Sequence, residues 1–409
     1  MRERQSKDDT VRIKGIHYRT GERIAVEVSG GRITGIREIS AAEGAAPSGA
    51  AQSDTSAGSK LPLVGPGLVD LQLNGYGGFD LNTLPLSEAT VLELTRCLGQ
   101  YGITSYYPTI ITNSDEAITE ALTVIARTCD LYPEQTAIIA GIHLEGPFIS
   151  PEDGARGAHG KAYVKAPDWE LFCAWQKAAG GRIRILTLSP EWEEADAFIR
   201  LCAQSGVTVS IGHTAATPEQ IRSAVRAGAT MSTHLGNGAH GTLPRHPNYI
   251  WEQLAADELW GCVIADGFHL PEAVLKAALR TKGDKLVLVS DAVYLAGMEP
   301  GDYQTHIGGK VTLQPSGRLC LTEQPNLLAG SALPLTRGIE HMVRTGLCQW
   351  PQAWELASIR PARSMNLPGQ AGLEPGAPAD LALFTIEDAG QLRIHKTYKQ
   401  GRIIYESDI

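Results

Sequence analysis

Val69-Asp-Leu-Gln-Leu-Asn-Gly-Tyr-Gly-Gly78, "VDLQLNGYGG", reads as a buried strand that runs straight into a glycine-rich turn. Its last residues carry two neutral amides, Gln72 and Asn74, where a purely structural strand would carry apolar groups. The same design recurs along the middle of the chain. Strand-like segments at Leu68–Leu73, Thr104–Ile110, Ile138–Glu145, Ile183–Leu188, Val207–Gly212, Thr230–His234, Gly261–Asp266 and Leu286–Asp291 are each followed by enough residues for a helix. Eight such units are the number of a (β/α)8 TIM-type barrel, although a doubly wound open sheet would show the same alternation. The position of the polar residues favours the barrel. Glu145, His213, His234 and Asp291, with Gln72 and Asn74, all fall at strand ends, and in a barrel the C-terminal ends of all strands meet at one mouth.

One intervening helix is well marked. Pro271 opens it, Val274, Leu275, Ala278 and Leu279 form its apolar stripe, and Gly283 follows Arg280 and Lys282 at its end. Outside the barrel, Ile24–Val28 and Arg32–Ile36 flank Ser29-Gly-Gly31 as a hairpin, while Ala379–Phe384, Leu392–Tyr398 and Gly401–Tyr405 are strand-like at the other end. Both chain ends are therefore expected to pair in one small β-sandwich domain, residues 1–65 with 366–409, around a catalytic barrel of residues 66–365. Ala41–Ser59, small and polar, is too poor in apolar groups to pack and reads as a mobile loop.

The chain has 409 residues, 43% hydrophobic and 20% charged, enough for a large core plus a smaller one. A net charge of −9 argues against nucleic acid as a partner. No apolar run approaches the roughly 18 residues of a membrane span, and MRERQSKDDT lacks a signal peptide's apolar core, so a cytoplasmic location without a membrane is expected. The seven cysteines are scattered, with no Cys-x-x-Cys pair, which reads as reduced, mostly packed thiols.

Taken singly, Glu145 reads as half of a salt bridge as readily as a ligand, and either histidine is more often a hydrogen-bonded core residue. Together, one carboxylate and two neutral imidazoles make the composition of a catalytic zinc-type site with room for water. Such a set leaves a divalent ion with net positive charge, able to acidify water. Asp291, ending "KLVLVSDA", is then the expected proton acceptor, with a helix N-cap as its structural alternative.

These residues, in order, resemble the N-acetylglucosamine-6-phosphate deacetylase family of the amidohydrolase superfamily. The resemblance covers nearly the whole chain: "PGLVDLQLNGYGG", "HLEGPF", "RGAHG", "GHT", "THL.N", "IADG.H", "SDA" and the closing "PGAPADLALF". Many amidohydrolases carry His-x-His at the end of the first strand to hold a second metal, and the deacetylases carry Gln-x-Asn, which Gln72 and Asn74 match. The resemblance implies one divalent ion per subunit, zinc first, with iron, cobalt or manganese as alternatives, held by Glu145, His213 and His234. It implies Asp291 as general base and acid, and His159 as the group that polarises the scissile carbonyl. Gln72 and Asn74 would orient water or neighbours, Arg245 and His269 would contact the sugar phosphate, and Asn237 and Gly238 would present backbone N–H groups to the phosphate. It also implies a homodimer in which one subunit completes the other's phosphate site.

The segment "HLGNGAHGTLPRHPN" departs from the family. Gly236 stands where an aromatic residue is usual, Gly238-Ala239 replace Ala-Met, and His246 follows Arg245 where an acidic residue is expected. The expected reaction is hydrolysis of the acetamide of an N-acetylhexosamine 6-phosphate, N-acetylglucosamine 6-phosphate before others. Alternatives are an amidohydrolase acting on a different N-acyl sugar, an N-acyl amino acid or a cyclic amide, or a non-enzymatic oligomeric member of the family.

Overall fold

The computed structural model describes residues 10–40, 43, 61–306 and 308–407. The Ala41–Ser59 stretch, apart from Glu43, lies outside the described residues, as does nearly all of MRERQSKDDT. Eight parallel strands form one sheet in chain order: Leu68–Leu73, Ile103–Ile111, Ile142–Glu145, Ile183–Leu188, Thr208–Ile211, Ala229–Ser232, Trp260–Val263 and Leu286–Leu288. Every strand expected from the sequence is present, most of them trimmed by a residue or more.

The sheet closes rather than staying open. Leu73 bridges Ala292 in parallel. Asp291 N–H donates to Gln72 O at 2.9 Å, and Asn74 N–H to Ala292 O at 2.9 Å. A doubly wound sheet would instead reverse its strand order midway and leave two free edges.

All six residues of the first strand are buried, as expected of a parallel strand covered on both faces. Outside, Leu144, Leu186, Val209 and Ile211 share a cluster with the helix residues Ile118, Leu122, Phe172, Phe198 and Ile199. A second cluster comes mainly from the strands themselves, including Val69, Leu71, Ile185, Met231, Cys262, Val287 and Val289.

Local signals set the helix starts. Ser114 accepts from Ala117 N–H ahead of Asp115–Leu131, with Asp115 and Glu116 in its first turn. Thr217 and Gln220 form a capping box with Pro218 at the first position of the next. The helix expected after Pro271 spans Glu272–Lys282 with Gly283 at φ 53. Its stripe is narrower than the sequence suggested, because Val274 faces solvent at 38% exposure while Leu275 and Ala278 are buried.

The two ends share a seven-stranded sheet, ordered Arg402–Glu406, Leu392–Lys399, Leu381–Ile386, Leu63–Pro66, Val11–His17, Arg23–Ser29 and Arg32–Glu38. The first hairpin turns on Gly30 and Gly31, both at positive φ (58 and 78), as a tight two-residue turn requires. The sheet curls back on itself where Ile33 N–H donates to Ala377 O and Ala379 N–H to Gly31 O, each at 2.9 Å. Trp354 joins sheet to barrel: its ring stacks on Phe384 at 3.9 Å and its Nε1–H donates to Pro66 O at 2.9 Å. Three features went unread in the sequence. They are the strands Val11–His17 and Leu63–Pro66, and a three-stranded sheet (Gly301–Thr305, Gly309–Leu313, Leu319–Leu321) that follows the eighth barrel strand. All seven cysteines are free, and no helix among the described residues is long and apolar enough to cross a membrane.

Candidate active site

Glu145 is the last residue of the third strand, while His213, His234 and Asp291 lie just beyond the fifth, sixth and eighth. The last three have φ of 48, 26 and 47, a region L-residues enter reluctantly. Among the described non-glycine residues only Asn366 and Gln400 share it. Backbone strain at three of the four strand-end residues is the pattern of side chains being aimed at something other than the core.

Their side chains converge. Glu145 Oε1 lies 3.2 Å from His213 Nε2 and 3.1 Å from His234 Nε2, and the two imidazole nitrogens are 3.0 Å apart. All three residues are buried. His213 Nδ1 is 3.0 Å from Ala155 O. A carbonyl can only accept, so Nδ1 carries the proton and Nε2 turns a lone pair inward. Glu145, His213 and His234 thus offer one oxygen and two nitrogens within 4.8 Å of one another, and they can hold a metal ion. Burial alone would raise the Glu145 carboxyl, but the facing imidazoles of His213 and His234 outweigh it and hold it well below the usual carboxylate range. Burial works against protonation of His234 too, and contact with Glu145 reverses the sign, leaving it raised.

The two first-strand amides reach the two carboxylates. Gln72 Nε2 donates to Glu145 Oε1 at 2.9 Å, and Asn74 Nδ2 to Asp291 Oδ1 at 2.8 Å. The remaining amide oxygens, Gln72 Oε1 and Asn74 Oδ1, are buried with no partner among the described residues. Burial, followed by the Glu145 charge, pushes Asp291 up to about 7. Two carboxylates in one pocket are therefore driven apart, one firmly ionised and one poised to exchange a proton.

His159 joins the same pocket. Its Nε2 is 3.2 Å from His213 Nε2, and its Nδ1 is 2.8 Å from Thr112 Oγ1. Burial, then the neighbouring His213, pushes it down to about 3, so it is neutral. The chain after Glu145 wraps over the cluster: Ala155 supplies the carbonyl for His213, and Ser150 N–H donates to His213 O at 2.8 Å.

The chain matches the amidohydrolase family model over residues 63–404. It is 34% identical to the N-acetylglucosamine-6-phosphate deacetylase of Bacillus subtilis over 326 residues, covering 78% of this chain and 80% of that one. It is 30% identical to the N-acetylgalactosamine-6-phosphate deacetylase of Shewanella sp. strain ANA-3 over 393 residues, 95% and 93% of the two chains. A mutant N-acetyl-D-glucosamine-6-phosphate deacetylase from Mycobacterium smegmatis, solved in complex with N-acetyl-D-glucosamine-6-phosphate, superposes with a TM-score of 0.79. It is 26% identical, with 97% of this chain and 99% of that one covered. This chain belongs to the amidohydrolase family, in the branch of these deacetylases.

The rest of the amidohydrolase mouth is less complete. His269 is held by Asp266, whose Oδ2 lies 2.7 Å from His269 Nδ1 and whose Oδ1 accepts the N–H groups of Phe268 and His269. Asn237 N–H is already taken by His234 O at 2.8 Å, while Gly238 N–H has no partner among the described residues. Gly238 also lies flat against His213: a Cβ there would sit 2.6 Å from His213 Nδ1. Arg245 is exposed and its side chain bonds to no described residue. His240 is less free than a turn histidine, pinned between Tyr249 Oη at 2.9 Å and Glu152 Oε2 at 3.1 Å. Thr112 and Asp266 are the neighbours that reading the sequence missed. Asp266 stood inside the quoted "IADG.H" block, whereas a threonine after a strand gives no separate signal.

Proposed function

We propose that this amidohydrolase hydrolyses the acetamide of an N-acetylhexosamine 6-phosphate, N-acetylglucosamine 6-phosphate foremost, to acetate and the hexosamine 6-phosphate. The observation that carries the reading is Asp291, held by Asn74 and raised to about 7, beside the Glu145, His213 and His234 cluster.

Glu145, His213 and His234 would hold the divalent ion, and one carboxylate with two imidazoles suits zinc, with iron, cobalt and manganese accepting the same donors. When bound, that ion supplies Lewis acidity toward water and the scissile carbonyl. Asp291 takes a proton from the attacking water as its oxygen bonds to the carbonyl carbon. It then returns the proton to the nitrogen as the C–N bond breaks, because an amide nitrogen leaves only as an amine. Gln72 fixes the Glu145 carboxylate and Asn74 the Asp291 carboxylate.

His159 can polarise the carbonyl only through an Nε2–H, which requires the Thr112 hydroxyl to donate to Nδ1 at 2.8 Å rather than to Glu145 O at 3.3 Å. His269, with Nδ1 tied to Asp266, has Nε2 left for the sugar. Gly238 N–H and Arg245 are assigned to the phosphate, Asn237 shaping the turn between ligand and phosphate. The exposed Arg245, which bonds to no described residue, fits a role at a second subunit's site, and hence a homodimer. The catalytic unit is taken as residues 66–365, with 1–65 and 366–409 as the sheet domain, working in the cytoplasm.

A second reading, the galactosamine epimer of the same substrate, is favoured by the likeness to the Shewanella enzyme over 95% of this chain. Acetate release by the zinc-loaded protein tests both, with N-acetylglucosamine 6-phosphate, N-acetylgalactosamine 6-phosphate and unphosphorylated N-acetylglucosamine in parallel. Turnover confined to the phosphorylated sugars is expected, and absence of turnover on all three would withdraw the substrate class.

A further inference from the structure

The backbone ladder of the barrel runs from the first strand to the eighth and does not continue between those two. They meet through a short set of bonds at the mouth, and Asp70 is part of it. Its carboxylate is fully buried, at 0% exposure. Oδ1 accepts from Ser290 N–H, across the seam, at 3.1 Å and from Gln72 N–H, on its own strand, at 3.4 Å. Ser290 Oγ donates back to Gln72 O at 3.3 Å, and Asp291 N–H donates to that same carbonyl at 2.9 Å.

Asp70, Gln72, Ser290 and Asp291 thus form one knot. On one side of it Gln72 reaches Glu145, and on the other Asp291 meets Asn74. Asp70 Oδ2 has no partner among the described residues, and burial pushes the carboxyl up to about 6. What the geometry shows is an Oδ1 acceptor on the first strand holding a backbone N–H of the segment that leads directly into Asp291.

We propose that Asp70 is a positioning residue whose Oδ1 holds the Ser290 N–H, anchoring the Val289–Ser290 peptide to the first strand, and so fixes Asp291 relative to Glu145, His213 and His234. The strained φ of 47 at Asp291 gives this anchor its purpose. A left-handed residue relaxes unless its surroundings hold it, and Asp70 grips the N–H one residue upstream.

The kinetic arm rests on the deacetylase reading, so it is paired with crystal structures that need no substrate. Asp70→Ala and Asp70→Asn are compared with wild type as zinc-loaded full chains on N-acetylglucosamine 6-phosphate, with metal content measured. The asparagine keeps an oxygen acceptor in place, and the alanine does not. Asp70→Ala should lose roughly 10- to 100-fold in kcat with KM and metal content held, as expected of a displacement of about 1 Å, and Asp70→Asn should recover to within about threefold of wild type. In the structures, Asp291 should leave Asn74 in the alanine variant and stay in the asparagine one.

The proposal is overturned if Asp70→Ala keeps Asp291 in place with full kcat, if Asp70→Asn is as impaired as Asp70→Ala, or if metal content falls with kcat. If Asp70→Ala does not fold, Asp70→Glu, which displaces the oxygen by one methylene, is read by the same criteria. Inactive wild type would sink the substrate reading alone, leaving the structures to decide on Asp70.

Discussion

Asn74 Nδ2 donates to Asp291 Oδ1 at 2.8 Å, joining the end of the first strand to the residue beyond the eighth across the closure of the barrel. The bond occupies one carboxylate oxygen and leaves the other free to take a proton. It also explains an amide where a histidine would serve a metal: an amide N–H steadies a carboxylate without competing for its proton.

Under the proposed role of Asp291, which acts on the proton rather than on binding, Asp291→Asn should lower kcat by about 10³-fold while KM and metal content stay near wild type. A parallel loss of metal would instead make Asp291 a ligand. The same variant carries a stability test on the metal-free protein. The folded pKa of about 7 lies above the ordinary 3.8. The native state therefore holds an extra proton between these values, and stability falls as pH rises through that window. Asp291→Asn should then be more stable than wild type near pH 8 by about 2–4 kcal/mol, with the gap narrowing toward pH 5. Equal melting temperatures near pH 8 would show that the carboxyl is not raised.

Metal removal should silence the enzyme, and zinc should restore it. On the proposed ligand set, in which the ion binds the assembled Glu145, His213 and His234 and not the unfolded chain, zinc at about 100-fold over its Kd should stabilise wild type by about 2.7 kcal/mol. His234→Ala and Glu145→Gln should lose that increment and the bound metal together. A zinc-induced rise in Tm that survives both changes would place the metal elsewhere.

The barrel was legible because its strands are apolar runs of the right length, each followed by a helix, and because a strand end carrying Glu145, His213 or Asp291 is polar where burial disfavours it. The strand Leu63–Pro66 was not, since a four-residue piece with Gly65 and Pro66 reads as a turn. It becomes a strand by pairing on one side with Val11–His17 and on the other with Leu381–Phe384, more than three hundred residues away. The Gly301–Leu321 sheet was hidden for a similar reason: its burial alternates weakly, and it pairs only with itself. At the site, residue types at strand ends could be read, but orientation could not. The carbonyl of Ala155 that fixes the His213 tautomer leaves no trace in side-chain identity.

Thr112→Val removes one hydroxyl from a buried position and should act through His159. The ring loses the Nδ1 partner that orients it at 2.8 Å, and Glu145 O loses the same hydroxyl at 3.3 Å. A fall in kcat of about tenfold with KM and metal content held is expected, the size usual for a partner of a functional imidazole. Full activity in Thr112→Val would mean that this hydroxyl does not set the tautomer.

Gly238→Ala should damage the metal site although it alters no ligand. The backbone there has φ of 56, and a Cβ would stand 2.6 Å from His213 Nδ1. The ring must move or the turn must relax, at about 1–3 kcal/mol. Metal content should fall, whereas Gly236→Ala, whose Cβ would meet only Leu270 Cδ2 at 3.0 Å, should cost stability but keep its metal. Equal metal content in the two variants would contradict the close packing of Gly238 on His213.

Arg245→Ala tests the phosphate anchor and the dimer together. The side chain is exposed and bonds to no described residue of its own chain, so its loss should leave stability nearly unchanged. KM for N-acetylglucosamine 6-phosphate should rise by about tenfold or more, the loss of a charge-assisted pair, with the unphosphorylated sugar unaffected. Mixing Arg245→Ala with Asp291→Asn subunits then decides which site the guanidinium serves. If Arg245 reaches across to the partner, each mixed dimer holds one site with both an intact Asp291 and an intact Arg245, and KM returns to the wild-type value at half the site number. If it serves its own chain, every site with Asp291 lacks its arginine and the raised KM persists.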